Sequence, residues 1–277
     1  MTVINTNTGS LYAQQALNTN ARGLSSVMQQ LSTGKRINNA VDDVAGMAIS
    51  TRLTSQIRGL NQAVRNANDG ISLIQTAEGA TEQVTNMLQR MRELAVQASN
   101  DTNNVSDRSY LDFEFKALTS QIGNIADNTQ WNGTNVLNGL GGASGSFVFQ
   151  VGANSDQTIS ITFSDMSTNA GSLSDIANQS ITSTSSSSAA LGIIISALDT
   201  VSMERSNMGA VISRLQFAGD NLANVSAKAQ ESRSRIEDTD YSMATTELAK
   251  RTIIQQAAQA MLAQANQMPQ MVLQLLK

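Results

Sequence analysis

Both ends of the chain carry apolar residues at the heptad spacing of paired helices. Near the carboxyl end, steps of four and three residues join Ile254, Ala258, Met261, Ala265, Met268, Val272 and Leu275. Near the amino end, a matching pattern joins Leu17, Leu24, Met28 and Leu31. This spacing lines one edge of a helix with apolar side chains, which then need a partner helix. Because isolated helices are marginal in water, we expect each end to pair with the other end or with another copy of the chain.

Composition favours helix–helix packing over an aromatic-rich interior. Of 277 residues, 40% are hydrophobic but only 4% are aromatic. The one proline is Pro269, so residues 1–268 lack the residue that most strongly interrupts a helix. Long uninterrupted helices are therefore expected.

Several classes of function are disfavoured by what the chain lacks. Without cysteine or histidine, it cannot build thiolate or imidazole metal sites or Cys and His nucleophile–base pairs, so we predict no cofactor and no enzyme activity. A net charge of -4 without a basic run argues against nucleic acid. No apolar run approaches about 18 residues, which predicts no membrane span. The start, MTVINTNTGS, lacks the features of a cleavable signal.

Apolar periodicity predicts one helix over residues 44–99. The seam keeps its phase through Gly70, although each of Gly59, Gly70 and Gly79 opposes a helix by about 1 kcal/mol relative to alanine. The alternative is a turn at Asn68-Asp69-Gly70. We favour the continuous helix, because a turn would not preserve the phase of the seam.

Shorter elements are predicted farther along the chain. A second helix follows residues 100–106, capped by Ser106 or Asp107, and ends in a loop at Trp131-Asn132-Gly133. Alternating β-branched and aromatic residues at 147–151 and 158–163 predict a hairpin. Residues 180–190, SITSTSSSSAA, read as an exposed linker or tip, and a third long helix follows them.

The predicted fold class is mainly α. We expect a long antiparallel helical rod, or coiled coil, built from both chain ends, with a small β-hairpin element and a short Ser/Thr-rich tip. The terminal coiled-coil domain would comprise residues 1–42 and 237–277. A helical rod domain would comprise residues 43–236, with the hairpin near 147–163 and the exposed Ser/Thr-rich segment at 172–190.

Two patterns invite a catalytic or phosphate-binding interpretation that we do not favour. The acidic residues Asp42/Asp43 and Glu237/Asp238/Asp240 could act as acid and base, but they lie at predicted helix boundaries without an aromatic sugar platform. Gly34-Lys35 lacks the rest of a phosphate-binding loop. We interpret the carboxylates as solvated or capping groups and the glycine as a break between helical stretches.

Five stretches resemble bacterial flagellin. They are LSTGKRINNAVDDVAGMAIS at 31–50, RNANDGISLIQTAE at 65–78, LQRMRELAVQ at 88–97, SRSRIEDTDY at 232–241 and the ending LAQANQMPQMVLQLLK. The resemblance covers about residues 1–165 and 190–277. Lys35 and Val41 depart from it, since the family usually has an apolar and a basic residue at these positions, which affects local charge contacts only.

The resemblance implies a self-polymerising subunit of the extracellular flagellar filament, used for swimming motility. It implies export in an unfolded state through the flagellar type III apparatus and assembly at the filament tip. The implied partners are further copies of the chain, an export chaperone, the filament cap and hook–filament junction proteins. The serine-rich segment stands where larger members carry outer domains.

A host partner is also implied by this resemblance. Residues 88–97 resemble the flagellin surface that a Toll-like receptor reads, and the matching positions are Gln89, Arg90 and Leu94, with Glu114 on the neighbouring helix. Arg90 could equally be a plain solvated charge.

Other functions fit less of the chain. A hook–filament junction protein shares flagellin-like ends, but SRIEDTDY and the closing LLK favour the filament subunit. An enzyme displayed on a filament, such as a metalloprotease insert, would require the H-E-x-x-H motif, and the chain has no histidine. A generic coiled-coil scaffold would leave the hairpin unexplained.

Overall fold

The computed structural model describes residues 6–169 and 171–275, with side chains described as far as Met268. The described residues form six helices: α1 (Thr8–Thr33), α2 (Val44–Ala98), α3 (Val105–Asn128), α4 (Ser174–Ala177), α5 (Thr184–Glu237) and α6 (Tyr241–Leu275). Two antiparallel strand pairs join them: β1 (Gln130–Trp131) with β2 (Thr134–Asn135), and β3 (Ser146–Gln150) with β4 (Thr158–Thr162). The fold is mainly α with a small β element, as predicted.

The contacts divide the chain into two units. One combines Met1–Ser55 with Lys228–Lys277, and the other is Gln56–Ala227. We call the first the terminal unit and the second the central unit. The terminal unit contains α1 and α6, and the central unit contains α3, both strand pairs and most of α2 and α5.

The predicted long helix is confirmed, and the hairpin explains two of its four glycines. A Cβ at Gly70 would lie 3.1 Å from the ring of Phe149, and a Cβ at Gly59 would lie 3.1 Å from the Cβ of Ala153. These distances are tighter than ordinary contacts, so glycine lets the hairpin pack directly on the helix backbone. A Cβ at Gly79 would meet nothing within 4 Å.

The core of the central unit joins three helices and the hairpin. Ile74, Leu88 and Met91 of α2 are fully buried, as is Phe115 of α3. In the hairpin, Phe147 pairs with Ile161 and Phe149 with Ile159, and Ile159, Ile161 and Phe163 form its buried side. The alternating pattern therefore predicted both the pairing and the buried side of β4 correctly.

Helix α5 meets the length and composition of a membrane span. An 18-residue window has a mean hydropathy of 1.3, and 28% of that window is buried. An uninterrupted apolar run, on which the sequence prediction rested, is a stricter criterion than this mean hydropathy. Four residues of α5, Ala190, Ile194, Ala197 and Val201, are buried in the core of the central unit.

The Ser/Thr-rich segment corrects one prediction. Only part of it is an exposed linker, because α5 already begins at Thr184. Ile181, Ser187 and Ala190 are fully buried. The hydroxyl of Ser183 accepts a hydrogen bond from the amide of Ser186 at 3.2 Å, so serine here starts a helix, as its capping chemistry allows.

Two predictions at the ends of α3 also need correction. Its N-cap is Asn104, not Ser106 or Asp107, and Asp107 completes a capping box by accepting from the Asn104 amide at 3.2 Å. At the other end, Asn132 and Gly133 form the turn between β1 and β2, with φ values of 48° and 78°. Positive φ at both positions suits asparagine and glycine in a two-residue hairpin turn.

Candidate assembly and recognition surfaces

Helices α1 and α6 pair in antiparallel order through side chain to backbone hydrogen bonds. The Asn7 amide donates to the carbonyl of Ala265 at 2.7 Å, and the Asn20 amide donates to the carbonyl of Arg251 at 2.8 Å. At the far end, the Tyr241 hydroxyl donates to the carbonyl of Leu31 at 3.2 Å. The three bonds fix one register, because a shift by one residue would break all of them.

The inner sides of the pair are marked by the buried and half-buried side chains. On α1, they recur at Ala13, Leu17, Asn20, Leu24, Val27 and Leu31. On α6, they recur at Ala244, Leu248, Arg251, Gln255, Ala258, Leu262 and Ala265. Both series step by four and three residues, as in a coiled coil. The pair therefore uses Leu17, Leu24, Leu31, Ala258 and Ala265 of the residues selected from the sequence.

Other residues selected from the sequence lie outside this inner side. Met28, Ile254, Met261 and Met268 are 57%, 42%, 65% and 56% exposed, whereas Val27 and Asn20 are 7% exposed. These four lie outside the contact between α1 and α6, and their role in self-assembly stays a prediction. A spacing of four and three residues also holds for the neighbouring line of a helix, and the residues selected from the sequence follow the line with the larger apolar side chains. The side chains of Val272 and Leu275 lie outside the described part.

Four exposed apolar residues of α6 form a line of their own. At 100° per residue, Met243, Ile254, Met261 and Met268 fall within about 40° of each other, roughly 90° around the helix from the inner side. Met243 is 73% exposed. We call these four residues the outer stripe. Its apolar side chains remain available to a further partner.

The ends of α1 and α5 are joined by a short backbone bridge within the terminal unit. Gly34 ends α1 with φ of 72°, and its carbonyl accepts from the Thr239 amide at 2.9 Å. The Arg36 amide donates to the carbonyl of Glu237 at 2.6 Å. Gly34-Lys35 therefore ends α1 where the chain pairs with the segment after α5, which agrees with our interpretation of it as a break between helical stretches.

Glu237 makes both an ion pair and a side-chain hydrogen bond at this bridge. Its Oε1 lies 2.6 Å from Lys35 Nζ, and its Oε2 accepts from the Ser50 hydroxyl at 2.5 Å. The hydrogen bond from Lys35, followed by that from Ser50, lowers the pKa of Glu237 against the opposing effect of burial. Three of the other acidic residues cap backbone amides: Asp42 at Asn38 and Asn39, Asp43 at Gly46, and Asp240 at Ser242. Asp238 accepts from the Ser234 hydroxyl at 2.6 Å.

Arg90 is the centre of the predicted recognition surface in the central unit. Its Nε donates to Glu114 at 2.9 Å, and its Nη1 donates to Glu93 at 3.0 Å. These hydrogen bonds, with that to Glu114 the larger contribution, raise the pKa of Arg90. Gln89 is exposed beside it. The structure thus brings Arg90 and Glu114 together on two helices.

Leu94 corrects the predicted recognition surface. Its side chain is 1% exposed and belongs to the core of the central unit. A receptor cannot reach this side chain without opening the fold. Leu94 therefore packs in the core beneath the exposed residues of this surface.

Sequence profiles of the two helical regions of bacterial flagellin match most of the chain. The N-terminal helical region matches residues 4–141, and the C-terminal helical region matches residues 191–276. The chain belongs to the flagellin family. This flagellin is accordingly a structural subunit of the extracellular flagellar filament.

Individual relatives agree over the full length. A flagellin from Halalkalibacterium halodurans is 44% identical over 99% of this chain and 100% of the relative. The flagellar filament 33 kDa core protein of Treponema phagedenis is 37% identical, with 99% and 100% covered. The crystal structure of Bacillus cereus flagellin superposes with a TM-score of 0.51 at 28% identity, covering 57% of this flagellin and 88% of that chain.

The side chains that fix the α1–α6 register were missed from the sequence. Asn20 is a polar residue within the apolar series of α1, and Asn7 precedes that helix as its N-cap, so a search for apolar periodicity passes over both. In the described part of this flagellin, no group of three or more Asp or Glu residues is placed to hold a metal ion.

Proposed function

We propose that this flagellin polymerises by burying the outer stripe of α6 against neighbouring copies. The supporting observation is the line of four apolar side chains, each 42% to 73% exposed, on a helix whose inner side is already occupied by α1. An apolar line of this kind is typical of an interaction surface. Family membership makes further copies of the chain its natural occupant.

The same contact explains an open filament. The outer stripe lies on one helix, and its neighbour need not present the same stripe in return. A head-to-tail contact between different surfaces of like subunits, when it does not close into a ring, generates a helical polymer. Burial of each large apolar side chain contributes about 1.5–3 kcal/mol, and the contribution is repeated at every subunit.

The rest of the proposal follows the family. The subunit has no catalytic role, leaves the cell unfolded through the flagellar type III apparatus and adds at the filament tip. An export chaperone, the filament cap and hook–filament junction proteins are its partners. The hook–filament junction role is the alternative, and formation of long filaments by the purified protein alone separates the two.

A pair of matched variants tests the outer stripe. Ile254→Asn with Met261→Gln makes two stripe positions polar, and Gln256→Asn with Gln267→Asn changes two exposed residues on another side of the same helix. After seeding with filament fragments, electron microscopy should show filaments for the wild type and the control and none for the stripe variant. Normal filaments from the stripe variant would contradict the proposal, as would normal filaments after deletion of residues 254–277.

We propose in addition that Arg90, Glu114 and Gln89 form a contact for a flagellin-sensing Toll-like receptor of a host. Two hydrogen bonds hold the Arg90 guanidinium at the surface, which presents its charge in a fixed orientation. In a receptor reporter assay, Arg90→Ala should reduce the signal at least tenfold. The exposed Arg214→Ala on α5 should leave it unchanged. No signal from the wild type would refute this proposal.

A further inference from the structure

We propose that the three methionines of the outer stripe, Met243, Met261 and Met268, are an oxidation site that controls assembly. Peroxide or hypochlorous acid would convert their thioethers to sulfoxides in the unassembled subunit, and the oxidised subunit would not add to a filament. This inference rests on the proposed burial of the outer stripe between copies.

The structure divides the methionines into accessible and protected groups. Met243, Met261 and Met268 are 73%, 65% and 56% exposed. Met91, Met166 and Met208 are fully buried in the core of the central unit. Since oxidation of methionine requires access of the oxidant to sulfur, the first group reacts and the second is an internal reference.

The composition leaves methionine as the sulfur-containing residue available to oxidants. The chain has 12 methionines and no cysteine, so no thiol competes for the oxidant. Three of the four residues of the outer stripe are methionine, where leucine or isoleucine would supply the same apolar surface. Three of the accessible sulfur atoms therefore lie where the proposed contact forms.

The reaction balances with peroxide as the only co-reactant. A lone pair of the sulfur attacks one peroxide oxygen, the sulfur–oxygen bond forms, and the oxygen–oxygen bond breaks. The departing oxygen takes the proton of the oxygen now bonded to sulfur and leaves as water. The sulfur loses two electrons and the peroxide gains them.

A sulfoxide would oppose burial of the stripe. Its oxygen is a strong hydrogen-bond acceptor, and an apolar contact supplies no donor for it. We expect each buried sulfoxide to raise the concentration of subunit needed for filament growth on the order of tenfold. The change is reversible, because methionine sulfoxide reductases restore the thioether.

The test uses the full chain and a triple variant, Met243→Leu/Met261→Leu/Met268→Leu. Both proteins are treated with hydrogen peroxide, mapped by peptide mass spectrometry and then seeded with untreated filament fragments. The variant keeps Met203, which is 75% exposed on α5, so it still carries an accessible methionine that is oxidised in both proteins.

The expected result is oxidation of the three stripe methionines and of the other exposed methionines, Met28, Met47 and Met203, with Met91, Met166 and Met208 unchanged. Treated wild type should fail to extend the seeds and should recover after incubation with methionine sulfoxide reductases, whereas the treated variant should extend them. Extension by fully oxidised wild type would overturn the inference, and so would failure of the treated variant. If the untreated proteins do not assemble, the proposed function itself fails, which is a separate outcome.

Discussion

Lys35 and Glu237 form an ion pair of 2.6 Å between the end of α1 and the end of α5. The Glu237 side chain is 15% exposed, whereas that of Lys35 is 53% exposed, so the carboxylate depends on this partner more than the ammonium does. The pair lies beside the backbone bridge from Gly34 and Arg36 to Glu237 and Thr239. Charge and backbone pairing therefore stabilise the same crossing within the terminal unit.

Glu237 predicts how the terminal unit responds to acid. Its pKa is lowered in the folded state, so its contribution is present above the ordinary glutamate pKa of about 4.3 and is lost as pH falls through the lowered value. Glu237→Gln should cost about 1 kcal/mol at pH 7 and less at pH 3. Thermal unfolding at both pH values measures this, with exposed Glu82→Gln as the control. An equal loss at both pH values would contradict it.

Asp112 holds the segment before α5, and we call its contact with the Ile181 amide the anchor. Its buried carboxylate accepts from the Ile181 amide at 2.8 Å and lies 2.6 Å from Lys116 Nζ. Burial alone would raise the pKa of Asp112, but the hydrogen bonds, beginning with that from Lys116, lower it overall. Asp112→Ala leaves the Ile181 amide unpaired and should cost about 1–3 kcal/mol in denaturant unfolding.

Lys116→Ala is the matched control for that anchor. The Lys116 side chain is 60% exposed, so loss of its ion pair should cost less than about 1 kcal/mol. Hydrogen exchange at the Ile181 amide should rise for Asp112→Ala and not for Lys116→Ala. Equal effects of the two variants would mean that the ion pair, and not the amide contact, holds this segment.

Asn20 predicts how firmly α1 holds its register on α6. The Asn20 side chain is 7% exposed and donates to a backbone carbonyl of α6. Asn20→Ala should weaken the pairing by about 1 kcal/mol and raise hydrogen exchange along α1. The exposed Asn18→Ala is the control and should leave exchange unchanged. Protection of α1 that survives Asn20→Ala would show that the apolar residues alone set the register.

Two glycines of α2 predict opposite outcomes of one substitution. Gly79→Ala adds a methyl group in open space and should stabilise the central unit by about 1 kcal/mol, raising Tm by about 2–4 °C. Gly70→Ala places that methyl group 3.1 Å from the Phe149 ring and should give no gain or a loss. Scanning calorimetry compares them, and a similar rise in both would refute close packing of the hairpin.

The long helices and the hairpin could be predicted because their patterns are local. The seam of α2 keeps its phase for many turns, and Ile159, Ile161 and Phe163 alternate over a single strand. The turn at Asn132-Gly133 could also have been predicted, since this dipeptide is a strong hairpin signal between short strands. Its flanking strands have only two residues each, which is too short for an alternating pattern to mark them.

The surface of α6 could not be assigned from periodicity alone. Two lines of the helix have the same spacing, and the sequence does not state which line meets α1. The inner line contains Arg251 and Gln255, which a hydrophobicity argument rejects, yet Gly23 leaves room for the Arg251 guanidinium beside α1. Leu94 illustrates the same difficulty, because family resemblance identifies a position without giving its exposure.

The hydrogen bond from Asn7 to Ala265 joins residues 258 positions apart in the chain. A ribosome therefore completes α1 long before it begins α6, and α1 has no partner while the intervening residues are being translated. The entropy cost of closing a loop rises only slowly with its length. The time needed to translate the intervening residues therefore limits this pairing more than the entropy of loop closure does. Helix α1 can therefore form its pair only after α6 has been synthesised.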